Sequence, residues 1–467
     1  MIDTAPPPFA LAIMTAALLI AAAVAFAPAD SPQAETLTPG EWPMFRGPNG
    51  AGVGADPLPA DLIRPENLRW QVDVPGRGWG SPVVADGPQG PTVYVPTATP
   101  DGRQMDMLAY DLATGERRWI RKLFRNSDPD FCHPTNTYAS CTPVATKEAV
   151  FAHFGKYGTA RLDPANGHVV WERRDFECNH FRGPASSPLL VQIDGLSPRL
   201  IVPFDGVDDD DQYVVALDAA TGKTLWQYDR KLPPGTIPDK RKAYGTPALM
   251  SFENEPVVVT TGADATVALH PENRQVVWRI EHGGMNTGSV PQVSKTARRT
   301  LIPPGGQAFF TVTDYPVITT GDAPTSVAML NPLEEQASTN QEEIVWSSNR
   351  AAPRRTTPVL GGGRSLFTVD DDGVAAIIAI DDGAVEDRVR LGDSYWSSPV
   401  RAGETMFTFG KEGTAATLTA TDAGELSVAD KQKLDEGVWA TPALAGGGLV
   451  LRTEHTLRFY HPDGTTK

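Results

Sequence analysis

Four aromatic residues stand three positions ahead of a proline: Trp79 before Pro82, Tyr244 before Pro247, Trp396 before Pro399 and Trp439 before Pro442. Tyr138 lies slightly further ahead of Pro143. Arginines occupy comparable approaches, at Arg77, Arg182, Arg354 and Arg355. Aromatic faces beside guanidinium groups suit a planar or anionic ligand, or a partner peptide. The same residues could instead pack neighbouring sheets together.

A second cluster joins Cys132-His133, Cys141 and Cys178-Asn179-His180, with His153 between them in the chain. Three chemistries are open to it. Cys132 or Cys141 could pair with Cys178 in a disulfide, the thiols could be buried and free, or Cys and His could hold a metal. Metal binding would need ligands from separate loops, since no C-x-x-C or H-x-x-x-H spacing exists; His133 and His180 are its candidates. The acidic run Asp205–Asp211 offers Asp208 and Asp210 as Ca²⁺ ligands, with a solvated loop as the alternative. It does not follow the EF-hand spacing. Asp370-Asp371-Asp372-Gly373 reads as a hairpin turn. No nucleophile elbow, phosphate-binding loop or haem-attachment motif occurs.

The elements that would position these residues are repeated. Ala109–Trp119, AYDLATGERRW, is echoed by Ala216–Trp226, ALDAATGKTLW. Each reads as a hairpin. Asp-x-x-Thr-Gly forms the turn, Gly supplies its positive φ, and Trp offers a large face to a neighbouring sheet. Weaker copies run from Leu162 to Trp171, Leu269 to Trp278, Leu330 to Trp346, and through Asp381, Asp422 and Asp463.

Between the copies, a small residue and proline open an apolar strand. The anchors are Ser81-Pro82, Thr142-Pro143, Ser187-Pro188, Thr246-Pro247, Val290-Pro291, Thr357-Pro358, Ser398-Pro399 and Thr441-Pro442. Their spacing of about 41 to 67 residues matches a four-stranded propeller blade with variable loops. The expected fold is all-β: an eight-bladed β-propeller of four-stranded antiparallel blades over residues 41–467. The last repeat has only three strands before the chain stops. The orphan strand Leu68–Val74 would supply the fourth and close the ring.

Composition agrees. The chain of 467 residues carries 43 Gly and 42 Pro, and its formal charge is −16 with no offsetting basic block, which argues against nucleic acid as a partner. Phe9–Ala27 is an uncharged apolar run long enough for a signal sequence or a membrane anchor, so residues 1–29 are read as one or the other, followed by a Pro-rich linker over 30–40. An exported protein is expected, periplasmic or in the cell envelope, with a membrane tether if the run is retained. Trp42 and Arg46, in EWPMFRGPNGAGVG, are expected to pin that segment to the propeller.

The AxDxxTGxxxW hairpins, together with the anchors, WPMFRGPNGAGVG and CNHFRGPASSP (Cys178–Pro188), resemble the pyrroloquinoline quinone (PQQ)-like β-propeller repeat family. That family contains quinoprotein dehydrogenases and the outer-membrane assembly factor BamB. The resemblance implies the fold more strongly than the activity, because the repeat motif is a packing device. It implies either of two functions. One is a non-catalytic scaffold or binding module like BamB, with a protein partner or small ligand at the central funnel of Trp79, Tyr138, Arg182, Tyr244, Arg355, Trp396 and Trp439. The other is a dehydrogenase oxidising an alcohol or sugar, with PQQ on a funnel Trp and Ca²⁺ as Lewis acid. The adjacent Cys-Cys pair of the quinoproteins is absent, which favours the first.

Overall fold

In the computed structural model, the described residues are 41–463 apart from 253–254, 282–291, 295–316, 320–326, 331–343, 349–351, 362–364, 381 and 422–423. The apolar run at Phe9–Ala27 lies outside them. Among the described residues, no helix is long and apolar enough to cross a membrane.

The chain forms a β-propeller of antiparallel sheets, each a meander of neighbouring strands. Eight sheets are described, numbered here by their anchors in chain order. The first runs through Val83–Gly87, Gly90–Ala98, Gln104–Asp111 and Arg117–Arg125. Sheets two to seven begin at Val144–Ala145, Leu189–Ile193, Ala248–Phe252, Gln292–Ser294, Val359–Leu360 and Val400–Ala402. The eighth contains Ala443–Ala445, Gly448–Arg452 and Thr456–Tyr460, and its fourth strand is Leu68–Asp73. Leu68 pairs with Tyr460 and Asp73 with Thr456. Chain start and chain end therefore share one sheet, as the orphan strand led us to expect.

The repeated motif works as an outer staple between sheets. Asp111 Oδ1 accepts the Thr114 N–H at 2.9 Å and its hydroxyl at 3.2 Å; Asp218 treats Thr221 the same way, at 2.8 and 2.7 Å. This tightens the turn and brings Gly115 or Gly222 to positive φ. The indole of the preceding sheet then covers that glycine. A Cβ on Gly115 would fall 2.7 Å from the Trp70 ring, and one on Gly222 would fall 2.7 Å from the Trp171 ring. The indole N–H donates to a carbonyl of the same turn. Trp70 reaches Leu112 O at 2.8 Å, Trp119 Pro164 O at 3.0 Å, Trp171 Ala219 O at 3.0 Å and Trp226 Pro271 O at 2.9 Å.

The anchors form an inner girdle. Thr441 N–H donates to Ser81 Oγ (3.1 Å), Ser81 N–H to Thr142 Oγ1 (3.0 Å), Thr142 N–H to Ser187 Oγ (2.9 Å) and Ser187 N–H to Thr246 Oγ1 (3.2 Å). On the far side Thr357 N–H donates to Ser398 Oγ (2.9 Å) and Ser398 N–H to Thr441 Oγ1 (3.0 Å). The fifth anchor, Val290-Pro291, carries no hydroxyl and lies outside the described residues.

Below the girdle runs the segment Glu41–Gly54. Trp42 exchanges backbone hydrogen bonds with Val84, and Pro43 O accepts from Ala145 N. Met44 packs against the cores of sheets three and four. The buried Arg46 guanidinium donates to Thr357 O and Pro358 O at 2.7 Å each, and to Ala51 O and Gly50 O of its own loop. Val53–Gly54 then pairs in parallel with Arg401 and Ala402. The segment thus straps sheets one, two, three, four, six and seven across the axis. The expectation for Trp42 and Arg46 corresponds to these contacts. Gly47 must be glycine here, because a Cβ would sit 2.4 Å from the Trp42 ring and φ is +67°.

Two stability predictions follow from these bonds. Arg46→Met strands the carbonyls of Thr357 and Pro358 in a buried place, so urea unfolding should lose about 3–5 kcal/mol; a loss below about 1 kcal/mol would show that the strap is not held by this side chain. Ser187→Ala strands the Thr142 N–H and should cost about 1–3 kcal/mol. Ser187→Thr keeps an acceptor and should cost clearly less.

Candidate functional site

The residues that precede the anchors converge above the girdle. A cavity of about 170 Å³ lies on the axis there. Its wall includes Trp79, Arg182, Tyr244, Arg355, Trp396 and Trp439. Its lower rim is hydroxyl-rich, from the girdle residues Ser81, Thr142, Ser187, Thr246, Ser398 and Thr441. Phe45, from the strap, reaches it from below.

Six of the seven funnel residues therefore meet in one place, and Tyr138 does not. The Tyr138 hydroxyl donates to Asp130 O at 2.6 Å, and its ring packs on Tyr157 and over Gly102. The reason is its register. It stands five residues before Pro143 rather than three, so it leaves the axial position and joins the loop core.

The tryptophans form one unit. Trp79 and Trp439 stack with centroids 4.8 Å apart and planes 6° from parallel, and Trp396 meets Trp439 edge-on at 5.0 Å. Cations cover their faces. Arg355 lies 4.2 Å over Trp396, Arg77 4.9 Å over Trp79, and Lys411 4.7 Å over Trp396 and 5.0 Å over Trp439. Burial, and then the neighbouring Arg355, push the Lys411 ammonium below the usual lysine range. Arg355 is ion-paired with Asp371. Burial raises the Asp371 carboxyl, and Arg355 opposes that rise. Arg182 has no carboxylate partner among the described residues, and its Nε is buried without a hydrogen bond. Phe45, His133 and Lys411 were missed as funnel residues. His133 is a wall residue, with Nδ1 2.7 Å from Thr135 Oγ1. Lys411 belongs to no repeated motif, and only the fold brings it to the indoles.

The cysteine cluster holds free thiols at Cys132, Cys141 and Cys178, with no disulfide. Each sulfur faces a different surrounding. Cys178 Sγ lies 3.5 Å from His180 Nδ1, Cys132 Sγ lies 3.7 Å from Arg182 O, and Cys141 is buried. Burial pushes all three thiols up to about 12, so they are held as inert S–H groups. His180 is committed. Its Nε2 accepts the Lys156 N–H at 2.9 Å, and Lys242 Nζ lies 3.3 Å from Nδ1. Asp208 accepts from Asn179 Nδ2 at 3.0 Å, and Asp211 from Asn179 N–H at 2.5 Å, so the acidic run braces the loop that carries Arg182. Asp210 takes a left-handed turn position, with φ 68°. Among the described residues no group of three or more His, Cys, Asp or Glu could hold a metal.

A family model described as outer membrane protein assembly factor BamB matches residues 64–208 and 204–341, more than half of the chain. The chain belongs to this family of PQQ-like repeat propellers. Solved structures with the same fold include a europium-containing methanol dehydrogenase, at 13% identity and TM-score 0.60, covering 89% of this chain and 90% of that one. A quinohemoprotein alcohol dehydrogenase from Comamonas testosteroni aligns at 13% identity and TM-score 0.62, covering 91% and 81%. Another, from Pseudomonas putida HK5, aligns at 13% identity and TM-score 0.58, covering 92% and 81%. No curated protein matches the chain in sequence.

The cofactor of such dehydrogenases can be tested against the donor set. The indole faces are taken by one another and by Arg77, Arg355 and Lys411. No carboxylate is among the cavity-wall residues, and the nearby Asp371 is committed to Arg355. Among the described wall residues no carboxylate is offered to a Ca²⁺ ion or as a base for a substrate hydroxyl, so PQQ with Ca²⁺ does not fit them.

Buried histidines set a pH dependence. His153 is wholly buried with Nδ1 2.8 Å from Thr159 Oγ1, and burial lowers its pKa from 6.5 to about 3. Above pH 6.5 the ring is neutral in both folded and unfolded chains. Between pH 6.5 and about 3 only the unfolded chain takes up the proton, so stability should fall by about 1.4 kcal/mol per pH unit for this group. Urea unfolding of the His153→Gln variant should show a shallower slope between pH 6 and 4 than the parent. Equal slopes would mean that the ring is already protonated in the fold.

Proposed function

We propose that this protein is an exported eight-bladed β-propeller that binds a ligand or partner group on its axis and performs no chemistry on it. Eight sheets, the shared N- and C-terminal sheet and the girdle bond from Thr441 to Ser81 support a closed ring. The apolar run at Phe9–Ala27 supports export to the cell envelope, with the run either cleaved or kept as a tether.

One observation carries the binding reading. Among the described residues, the axial wall combines three tryptophans with Arg182 and Arg355 and includes no carboxylate. A ring would pack beside the indoles, and such an aromatic contact adds about 0.5–1.5 kcal/mol beyond its buried area. An anionic group would take charge-assisted hydrogen bonds from the guanidiniums, worth about 1.5–3 kcal/mol each. Among the described wall residues the one imidazole, His133, has Nδ1 held by the Thr135 hydroxyl and N–H, and no carboxylate stands beside it as a base. The cavity of about 170 Å³ is sized for one ring with a short anionic arm rather than an oligosaccharide.

The test is a titration of the tryptophan fluorescence with 3-phenylpropionate and with its neutral counterpart 3-phenylpropanol. The acid should quench at micromolar to millimolar concentration and the alcohol should be about tenfold weaker. Arg182→Met should erase that preference. The alternative reading, a PQQ-dependent dehydrogenase, predicts absorbance of bound PQQ with Ca²⁺ and dye reduction by alcohols. Turnover in that assay would displace the binding reading.

A further inference from the structure

Two exposed phenylalanines stand beside the cavity. Phe131 is 64% exposed and Phe181 is 42% exposed. Each adjoins a wall residue: the Phe131 ring lies 6.4 Å from the His133 ring, and the Arg182 guanidinium lies 5.8 Å from the Phe181 ring. The loops that carry them are joined, since His133 N–H donates to Arg182 O at 3.3 Å and Asn136 Nδ2 to the same oxygen at 2.9 Å. Phe181 is held at φ 55°, a conformation that a bulky residue rarely adopts. A small ligand that filled the cavity would touch neither ring. The cost of exposing them is recovered only by an occupant that continues past the mouth.

Resting on the binding reading above, we infer that the occupant is the carboxyl-terminal residue of an extended polypeptide. Its side chain, aromatic or large and apolar, enters among Trp79, Trp396 and Trp439. Its α-carboxylate meets Arg182, a wall guanidinium whose Nε is buried without a hydrogen bond. The residues before it leave across Phe131 and Phe181. Charge complementarity selects this occupant over an internal loop, because an internal loop brings no carboxylate at the point where its side chain enters. The hydroxyl-rich rim offers donors to the last peptide group.

The test uses the full chain and a fluorescein-labelled, otherwise uncharged heptapeptide ending in leucyl-phenylalanine. Anisotropy should show the free acid binding at least tenfold more tightly than the same peptide amidated at its C-terminus. It should also bind more tightly than 3-phenylpropionate. The double variant Phe131→Ser, Phe181→Asn should weaken the peptide at least fivefold and leave 3-phenylpropionate unchanged; Asn is chosen because it tolerates positive φ. Equal binding of acid and amide, or an unaffected double variant, would overturn the inference. If 3-phenylpropionate binds and the peptide binds no more tightly, the cavity is a small-ligand site and only this inference falls. If neither binds, the binding reading falls with it.

Discussion

The structure depends on the amide–hydroxyl bonds of the inner girdle. The first strand of each sheet faces the axis, and its free edge would otherwise present unpaired backbone groups to a narrow space. Proline removes one donor at that edge. The residue before it keeps its N–H, and that N–H is satisfied by the Ser or Thr of the next sheet. At six junctions among the described residues, one short polar bond fixes how closely two sheets approach. It also fixes the height of each anchor along the axis. Residues three positions earlier inherit that height, which is why Trp79, Tyr244, Trp396 and Trp439 arrive at one level. The cavity is a consequence of the girdle, not of any loop acting alone.

The periphery solves the same joining problem with other chemistry. There the sheets diverge, and a hydroxyl is too short to bridge them. An indole fills the widening gap, covers the turn glycine of the next sheet and donates one hydrogen bond to it. The junction between the first and eighth sheets carries a further contact. Besides Trp70 and the Thr441–Ser81 bond, the buried Arg452 guanidinium donates to Gly80 O and Pro96 O. Arg46 does the same for the strap. Both guanidiniums are bonded to carbonyls, and burial lowers their pKa to about 10 and about 9. Each gathers several carbonyls at once, which a lysine with a single nitrogen could not match in geometry.

The girdle and the staples were legible in the sequence because each repeats. Ser81-Pro82 and AYDLATGERRW have copies, and a copy fixes the role of its neighbours. Four of the funnel aromatics were legible for the same reason, since they hold one offset from a repeated proline. What does not repeat was hidden. The path of Glu41–Gly54 across six sheets depends on contacts such as Arg46 with Thr357 that no local pattern announces. Phe45 reaches the cavity, and Lys411 the indoles beside it, only through such long-range placement. Tyr138 misled because its loop is longer by two residues between aromatic and proline. The cysteines misled because residue type and compartment suggest pairing, whereas the fold turns Cys178 toward His180 and Cys132 toward Arg182 O.

Charge explains how such a site could be selective. The chain carries a formal charge of −16, so its long-range field repels anions. Screening confines that field to roughly 8–10 Å at physiological ionic strength. On the axis the balance reverses, because Arg355, Arg77 and Lys411 gather around the indoles and Arg182 lines the same cavity, while Asp371 pairs with Arg355. An anion held away from the axis meets repulsion, and one placed on the axis meets guanidinium groups against apolar walls of low dielectric. Affinity then requires an anionic group at one depth and a ring beside it. A molecule with many charges is penalised at the acidic exterior, and a neutral ring leaves the Arg182 charge unanswered. On the proposed binding reading, the occupant is a single carboxylate on an otherwise apolar body.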